Sequence, residues 1–274
     1  MTSQFKNSGG LSRIQQVFEK TRAQKRAALM PYYTLGYPTP ETSLEILTAI
    51  STSGADLIEL GMPFSDPLAD GPTIQASTQV ALQAGMTIPR CLEITSQLRE
   101  RGAEQALILM GYINPLVSYG VERFVQDAAT AGADGLIVAD LPLEESGDLE
   151  TACRKENLAL VCLLAPDSPP ERVEMIAHRT SGFLYLVSLA GVTGARKDLP
   201  PHLPEFVQRV RKVARTPLAV GFGVSTPQHA RLVGELADGV IVGSALIDAV
   251  KHAADPVKAA GDFVASLRAA LENH

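Results

Sequence analysis

Glu59 is the residue whose type and position are best suited to chemistry in this sequence. It lies in the apolar run 55–61, where the alternation of a strand puts it on one face with Leu57, while the other face is entirely apolar. If the apolar face meets other elements of the fold, the carboxyl of Glu59 points into the interior. Burial raises the pKa of a carboxyl there and suits it to general acid and base catalysis. A structural glutamate held by a buried partner is the alternative.

Two aspartates follow in a loop that prolines stiffen. Asp66 and Asp70 lie within 63–72, a segment that also contains three prolines. A rigid loop can hold a carboxylate at a fixed position over a pocket. Aspartate next to proline or glycine is also common in turns and caps, so the loop alone leaves both interpretations open.

Two glycine-rich turns predict a site for a phosphorylated ligand. Gly221-Phe222-Gly223 and Gly243-Ser244 each follow a short apolar run. Glycine lets the backbone approach an anion closely, and backbone N–H groups at the start of a helix bind phosphate. Tight turns without a ligand are the alternative, and two such turns in succession favour phosphate.

The loop 188–204 is a candidate lid. It contains Gly191 and Gly194 and ends in a proline-rich run. Two glycines could act as hinges for a segment that closes over a substrate and excludes water. A passive surface loop is the alternative. We favour the lid because of the position of this loop in the repeating pattern described next.

These residues are positioned by eight repeats of a short apolar strand followed by a helical pattern. Near-continuous apolar runs are typical of parallel strands that helices cover. An N-cap residue followed by proline marks helix starts at Thr39-Pro40, Ser168-Pro169 and Thr226-Pro227. The strands are predicted near 28–35, 55–61, 105–111, 134–139, 158–164, 182–188, 217–221 and 238–242.

Eight such units in 274 residues predict an α/β fold, a (β/α)8 TIM barrel that forms a single domain over 1–274. An open, doubly wound sheet is the competitor. Before the first strand, Leu11, Ile14, Val17 and Phe18 share one face, and Ser12 with Gln15 resembles a capping box. We therefore expect an extra N-terminal helix that closes the bottom of the barrel.

Two long intervals between strands indicate functional insertions at the end of the barrel where the strands end. Roughly 50 residues separate the starts of the second and third strands, and roughly 34 those of the sixth and seventh. In a barrel the loops that follow the strands form the catalytic face. We expect functional insertions at these two places.

Composition excludes several other classes of function. The chain has 24 Lys and Arg against 30 Asp and Glu, a net charge of −6, and no basic run, so nucleic acid and anionic membranes are unfavourable partners. Three cysteines without a close pair and five scattered histidines predict neither a disulfide framework nor a metal site. Since neither a secretory signal nor a long apolar run is found, we expect a cytoplasmic protein.

Seven ordered motifs run along nearly the whole chain. They are Tyr33-Thr34-Leu35-Gly36-Tyr37-Pro38, the run 59–75, Tyr112-Ile113-Asn114-Pro115, Ala139-Asp140-Leu141-Pro142, Gly191-Val192-Thr193-Gly194, Gly221-Phe222-Gly223 and Gly243-Ser244. Together they resemble the tryptophan synthase alpha subunit family. Two places are less usual in that family: Gly111 stands where threonine or serine is common, and Leu189-Ala190 stands where a more polar pair is often found.

The resemblance implies a retro-aldol lyase that cleaves indole-3-glycerol phosphate to indole and glyceraldehyde 3-phosphate without a cofactor of its own. It implies that Glu59 is the acid and base and that Asp70 binds the indole N–H. Thr193, in the lid, is expected to contact Asp70 on closure. Tyr185 is expected beside the substrate. The apolar walls around the indole are expected at Tyr32, Met110, Ile137 and Phe222. The phosphate donors are expected at Gly194, Gly223, Gly243 and Ser244.

The same resemblance implies a partner. Family members work as an α2β2 complex in which the beta subunit carries pyridoxal phosphate and receives indole through a tunnel. The contact surface is expected at 63–70 and near Asn114 and Pro142. Three alternatives stay open: a stand-alone lyase that releases indole, a catalytically silent subunit that activates a partner, and an unrelated barrel enzyme that acts on a sugar phosphate.

Overall fold

Eight parallel strands close into a barrel in a computed structural model that describes residues 9–187, 199–221 and 223–272. Each strand pairs with its neighbour in sequence, and β8 pairs with β1. The predicted (β/α)8 fold is confirmed, and each predicted strand is within two residues of the observed one at either end. The strands are β1 (Ala28–Thr34), β2 (Leu57–Gly61), β3 (Ala106–Gly111), β4 (Gly135–Val138), β5 (Ala159–Leu164), β6 (Leu184–Val187), β7 (Leu218–Gly221) and β8 (Gly239–Val242).

Helices surround the barrel, and in the described ranges two strand-to-strand connections, from β2 to β3 and from β3 to β4, contain two α-helices each. The long interval between β2 and β3 holds α3 and α4, so most of this insertion is helix rather than loop. The helices are α1 (Leu11–Ala23), α2 (Pro40–Thr52), α3 (Pro72–Gln83), α4 (Ile88–Glu100), α5 (Ile113–Tyr119), α6 (Val121–Thr130), α7 (Gly147–Lys155), α8 (Pro170–Arg179), α9 (Leu203–Arg211), α10 (Pro227–Gly234), α11 (Ser244–Lys251) and α12 (Pro256–Glu272). None of the helices in the described ranges is both long and apolar enough to cross a membrane.

Two of the three helix caps that are predicted before a proline are correct. The side chains of Thr39 and Thr226 accept hydrogen bonds from the first turns of α2 and α10. The prediction at Ser168 is wrong: α8 begins at Pro170 after Pro169, and no side chain caps it. The amide of Ser168 donates instead to the carbonyl of Ala165, so this serine lies in a preceding turn.

Side chains alternate between two apolar layers, as the strand pattern predicts. Leu57 belongs to the cluster inside the barrel, whereas Ile58 and Leu60 pack in the layer between strands and helices. Glu59 shares the face of Leu57 and therefore points into the barrel. The fold thus gives this carboxyl the orientation that the alternation predicts.

The N-terminal helix closes the bottom of the barrel, as expected. Ile14 and Phe18 of α1 are buried in the interior cluster, and the Phe18 ring lies 5.9 Å from that of Phe183. The predicted cap at Ser12 is wrong, because α1 starts at Leu11 after Gly10 and has no side-chain cap. The Gly10 amide donates instead to the buried Asp134 carboxylate over 2.7 Å.

The bottom end is held by polar residues that precede the even-numbered strands. Asp56, Asp134, Ser181 and Asp238 each accept a hydrogen bond from the backbone of the preceding odd strand, at 2.8–2.9 Å. Arginines pair with all three aspartates. This end of a barrel usually provides stability, which leaves the opposite end for chemistry.

Candidate active site

Glu59 lies in β2 near the open end of the barrel, opposite Tyr32 in β1 and Ile108 in β3. Its side chain is fully buried, and neither carboxyl oxygen has a hydrogen-bond partner among the described residues. Burial raises the pKa of this carboxyl to about 8. A structural glutamate would need a buried partner, and the described residues provide none. The carboxyl is therefore a protonated group at neutral pH that is available to a ligand.

Asp70 lies in the loop between β2 and α3. Its carboxylate is buried and accepts a 2.9 Å hydrogen bond from the Tyr112 hydroxyl. Burial raises the pKa of Asp70 to about 6, and the bond from Tyr112 opposes that rise. Asp66 in the same loop is exposed. Of the two aspartates, Asp70 is the one that is held inward.

Tyr112 is a residue of this site that sequence reasoning missed. It is the N-cap residue of α5, directly after β3. Besides donating to Asp70, its hydroxyl accepts a hydrogen bond from the Ala69 amide over 3.2 Å. Tyr112 therefore fixes both the carboxylate and the backbone of the loop that carries it. Its place in a motif was the available signal, but residue type alone does not indicate this role.

Two buried tyrosines extend across neighbouring strands that end in glycine. A methyl group added to Gly61 would lie 2.1 Å from the Tyr32 hydroxyl, and one added to Gly221 would lie 2.2 Å from that of Tyr185. Glycine at both strand ends is thus required by the tyrosines as they stand. Burial raises the pKa of both phenols well above the usual value, and the charges of Asp70 and Glu59 act in the same direction.

The predicted apolar wall residues differ in depth. Met110 is half-buried at the end of β3 and lies opposite Gly61 in β2 and Ile137 in β4. Ile137 is fully buried in the interior cluster. The predicted positions Thr193, Gly194 and Phe222 lie outside the described residues, as does most of the candidate lid 188–204.

The unusual Gly111 has a packing partner. A methyl group added there would lie 2.7 Å from the terminal methyl of Met62. The Met62 side chain thus occupies the space that a larger residue at 111 would need. This pair lies beside the loop of Asp70, which begins at Met62 after β2.

The two glycine-rich turns lie at the ends of β7 and β8. Gly223 has φ of +87°, a conformation that strongly favours glycine. Gly243 precedes α11, whose N-terminus has no side-chain cap. The first N–H groups of a helix without a cap can bind an anion. Ser244 is the first residue of that helix.

Comparison with known proteins identifies the family. A family model described as tryptophan synthase alpha chain matches residues 18–273. The chain belongs to the tryptophan synthase alpha chain family. The tryptophan synthase alpha chain of Roseiflexus sp. (strain RS-1) is 49% identical over 260 residues, which cover 94% of this chain and 100% of the relative. A protein of Saccharomyces cerevisiae named tryptophan synthase is 48% identical over 235 residues, 85% of this chain but 33% of its own length.

Solved structures agree with this assignment. A Mycobacterium tuberculosis tryptophan synthase structure has a TM-score of 0.90 at 37% identity, over 97% of this chain and 100% of that one. The tryptophan synthase alpha subunit of Legionella pneumophila has a TM-score of 0.89 at 40% identity, over 96% and 99%. The chain is thus a lyase of tryptophan biosynthesis that cleaves indole-3-glycerol phosphate to indole and glyceraldehyde 3-phosphate. An unrelated sugar-phosphate enzyme is excluded.

Proposed function

We propose that Glu59 is the acid and base of this cleavage. The protonated carboxyl gives its proton to C3 of the indole, and the carboxylate that remains takes the proton of the adjacent glyceryl hydroxyl. The bond from C3 to the glyceryl carbon breaks, its electron pair restores the indole, and the hydroxyl carbon becomes the aldehyde. The carboxyl ends the cycle protonated again. The observation that carries this proposal is the buried Glu59 carboxyl without a hydrogen-bond partner among the described residues.

Asp70 has the complementary role in the proposal. When C3 becomes tetrahedral, positive charge develops on the indole nitrogen. A carboxylate that accepts the indole N–H stabilises that charge more in the transition state than in the ground state. With a pKa of about 6, Asp70 is largely ionised at neutral pH. The Tyr112 hydroxyl stabilises the ionised form and holds it in place.

The proposal also assigns the walls of the pocket, the phosphate donors and the lid. Tyr185 and Tyr32 form buried walls around the indole together with Met110, Ile137 and Phe222. Backbone N–H groups at Gly194, Gly223, Gly243 and Ser244 bind the phosphate, which the glycine conformation at 223 and the N-terminus of α11 support. Thr193 contacts Asp70 when the lid 188–204 closes.

A beta subunit is the proposed partner, in an α2β2 complex in which that subunit carries the pyridoxal phosphate. The reaction of this chain uses side chains and needs no cofactor. Leu68 and Val117 support a docking surface at the open end, because 84% and 60% of their areas are exposed. Leu68 lies within the expected contact segment 63–70, Val117 lies in α5 together with Asn114, and Pro142 lies in the connection that follows β4. The yeast relative matches this chain over 33% of its length, which leaves room for a second function. We place this single-domain chain in the cytoplasm.

Replacing Glu59 by glutamine tests the catalytic proposal. Glutamine has nearly the shape of the protonated carboxyl but cannot transfer its proton, so we expect kcat to fall about 100- to 10,000-fold while KM changes little. The measurement is glyceraldehyde 3-phosphate release from indole-3-glycerol phosphate.

The matched control is Glu100→Gln, which changes an exposed glutamate at the end of α4. This variant should keep the rate of the unmodified protein. Near-normal turnover by Glu59→Gln would overturn the assignment of Glu59 as acid and base.

A further inference from the structure

The first turn of α10 contains a buried histidine that the proposed reaction does not use. His229 is 7% exposed, and its backbone N–H donates to the Thr226 hydroxyl over 3.1 Å. Thr226 and His229 thus occupy the N-cap and N3 positions of a capping box. The usual N3 residue is glutamate or glutamine, whose side chain accepts a hydrogen bond from the N-cap amide. His229 makes a different contact.

The imidazole of His229 reaches back beyond the cap to the loop after β7. Its Nδ1 lies 3.2 Å from the carbonyl oxygen of Gly223 and 3.3 Å from the hydroxyl oxygen of Ser225. Helical side chains lean toward the N-terminus, which permits this reach. A carbonyl oxygen can only accept a hydrogen bond, so the bond to Gly223 requires the tautomer that carries its proton on Nδ1, whereas the Ser225 hydroxyl can donate to Nδ1 in the other tautomer.

This contact holds a backbone that its own residue type leaves free to move. Gly223 has φ of +87°, and among the described residues no atom outside its chain neighbours lies within 4 Å of the position that a Cβ would occupy there. Glycine leaves such a backbone conformationally free. Because the peptide group is planar, holding the Gly223 carbonyl fixes the peptide unit that it shares with the Val224 N–H, directly after the Gly223 N–H in the same loop.

We propose that His229 is a positioning residue for the phosphate of the substrate. It ties the loop of Gly223 to α10, so that the backbone donors of this loop are already oriented when the phosphate arrives. Donors that are fixed in advance bind an anion without a further ordering cost. The inference rests on the proposed phosphate site at Gly223 and names a side chain that organises it.

Two substitutions and two small probes test this role. In His229→Leu the hydrogen bond is lost at similar volume, and in His229→Asn the amide nitrogen takes the place of Nδ1. We expect His229→Leu to raise KM for indole-3-glycerol phosphate and the competitive inhibition constant of inorganic phosphate about fivefold each, with kcat within about twofold. The affinity for indole, which lacks phosphate, should not change. His229→Asn should restore both constants.

The outcomes separate this inference from the proposal beneath it. If inorganic phosphate competes with substrate equally well in the unmodified protein and in His229→Leu, the role of His229 is wrong. A fall in kcat at constant KM, or failure of His229→Asn to restore binding, also overturns it. If phosphate does not compete in the unmodified protein, the proposed phosphate site itself fails.

A measurement on the unmodified protein covers the case in which His229→Leu does not fold. The ¹⁵N resonances of the His229 ring report which nitrogen carries the proton. We expect a protonated Nδ1 whose resonance moves when inorganic phosphate is added and stays when indole is added. If this resonance does not move when phosphate is added, His229 does not contact the loop that binds the phosphate, and its proposed role is wrong.

Discussion

At the scale of single residues, two carboxyls near one barrel mouth differ in charge because their neighbours differ. Burial raises the pKa of both, to about 8 for Glu59 and about 6 for Asp70. Asp70 is the lower of the two because an aspartate starts from a lower pKa, because it is slightly less buried, and because the Tyr112 hydroxyl donates to it, whereas Glu59 has no such donor in the described structure. At a pH between these two pKa values, Glu59 keeps its proton and Asp70 is ionised. This difference suits an acid beside a carboxylate that stabilises positive charge.

Tyr112→Phe should raise the pKa of Asp70 and so bring it closer to that of Glu59. The Tyr112 hydrogen bond stabilises the ionised carboxylate, so its loss raises the pKa of Asp70 above about 6. Since the proposed mechanism needs Asp70 ionised, the acid limb of kcat/KM against pH should move to higher pH by about one unit.

The matched control for this experiment is Tyr119→Phe. It removes a tyrosine–aspartate hydrogen bond at the other end of α5, to Asp127, and should leave the acid limb unchanged. An acid limb of Tyr112→Phe that stays in place or moves to lower pH would refute the role of Tyr112.

The residue scale also shows what sequence can predict. The direction of Glu59 follows from strand alternation, because the period of two leaves only two choices and burial of the apolar face decides between them. The choice of Asp70 over Asp66, and the contribution of Tyr112, depend on how a loop of ten residues folds onto the next strand end. No local sequence pattern predicts how close the loop comes to the end of β3.

At the scale of elements, strand positions are predicted well and helix starts less well. A buried parallel strand leaves a continuous apolar run, which is a strong signal. A serine before a helical pattern is a weaker one: Ser12 lies inside α1, and Ser168 lies in the turn before α8. At both places the backbone outside the helix, Gly10 or Pro169, sets the start. The length of the interval between β2 and β3 also does not distinguish two helices from one long loop.

Helix α5 connects the proposed partner surface to the site. Its N-cap residue Tyr112 holds Asp70, the amide of Ile113 donates to Asp140, and Val117 is exposed. We expect Val117→Asp to weaken binding of a beta subunit about tenfold or more, because a charge would be buried in an apolar contact. Glyceraldehyde 3-phosphate release without the partner should be unchanged.

This prediction is measured as the rate of that release against the concentration of added beta subunit. Leu232→Asp is the control, because Leu232 is an exposed apolar residue of α10, far along the chain from the expected contacts. Equal activation of Val117→Asp and the unmodified protein would exclude α5 from the interface. Fast release that a beta subunit does not change would instead favour the stand-alone lyase.

At the scale of the whole molecule, the two ends of the barrel treat buried carboxylates differently. At the bottom, the buried Asp134 pairs with Arg13 and Arg99 and accepts two backbone hydrogen bonds. At the top, Glu59 is equally buried and has neither an arginine nor a backbone donor in the described ranges. Buried charges are ordinarily paired. The bottom follows that rule and stabilises the barrel, whereas at the top the unpaired Glu59 is kept uncharged at neutral pH by its raised pKa, as the proposed acid requires.

Acid catalysis by Glu59 requires that this carboxyl keep its proton at neutral pH. We would measure its titration directly, by ¹³C NMR of protein labelled at the glutamate side-chain carboxyl carbon, with Glu59→Gln to assign the resonance. We expect one glutamate resonance that titrates near pH 8 and is missing from the variant. A Glu59 resonance that titrates near the ordinary value of 4.5 would rule out the proposed acid, because the residue would then be ionised at neutral pH.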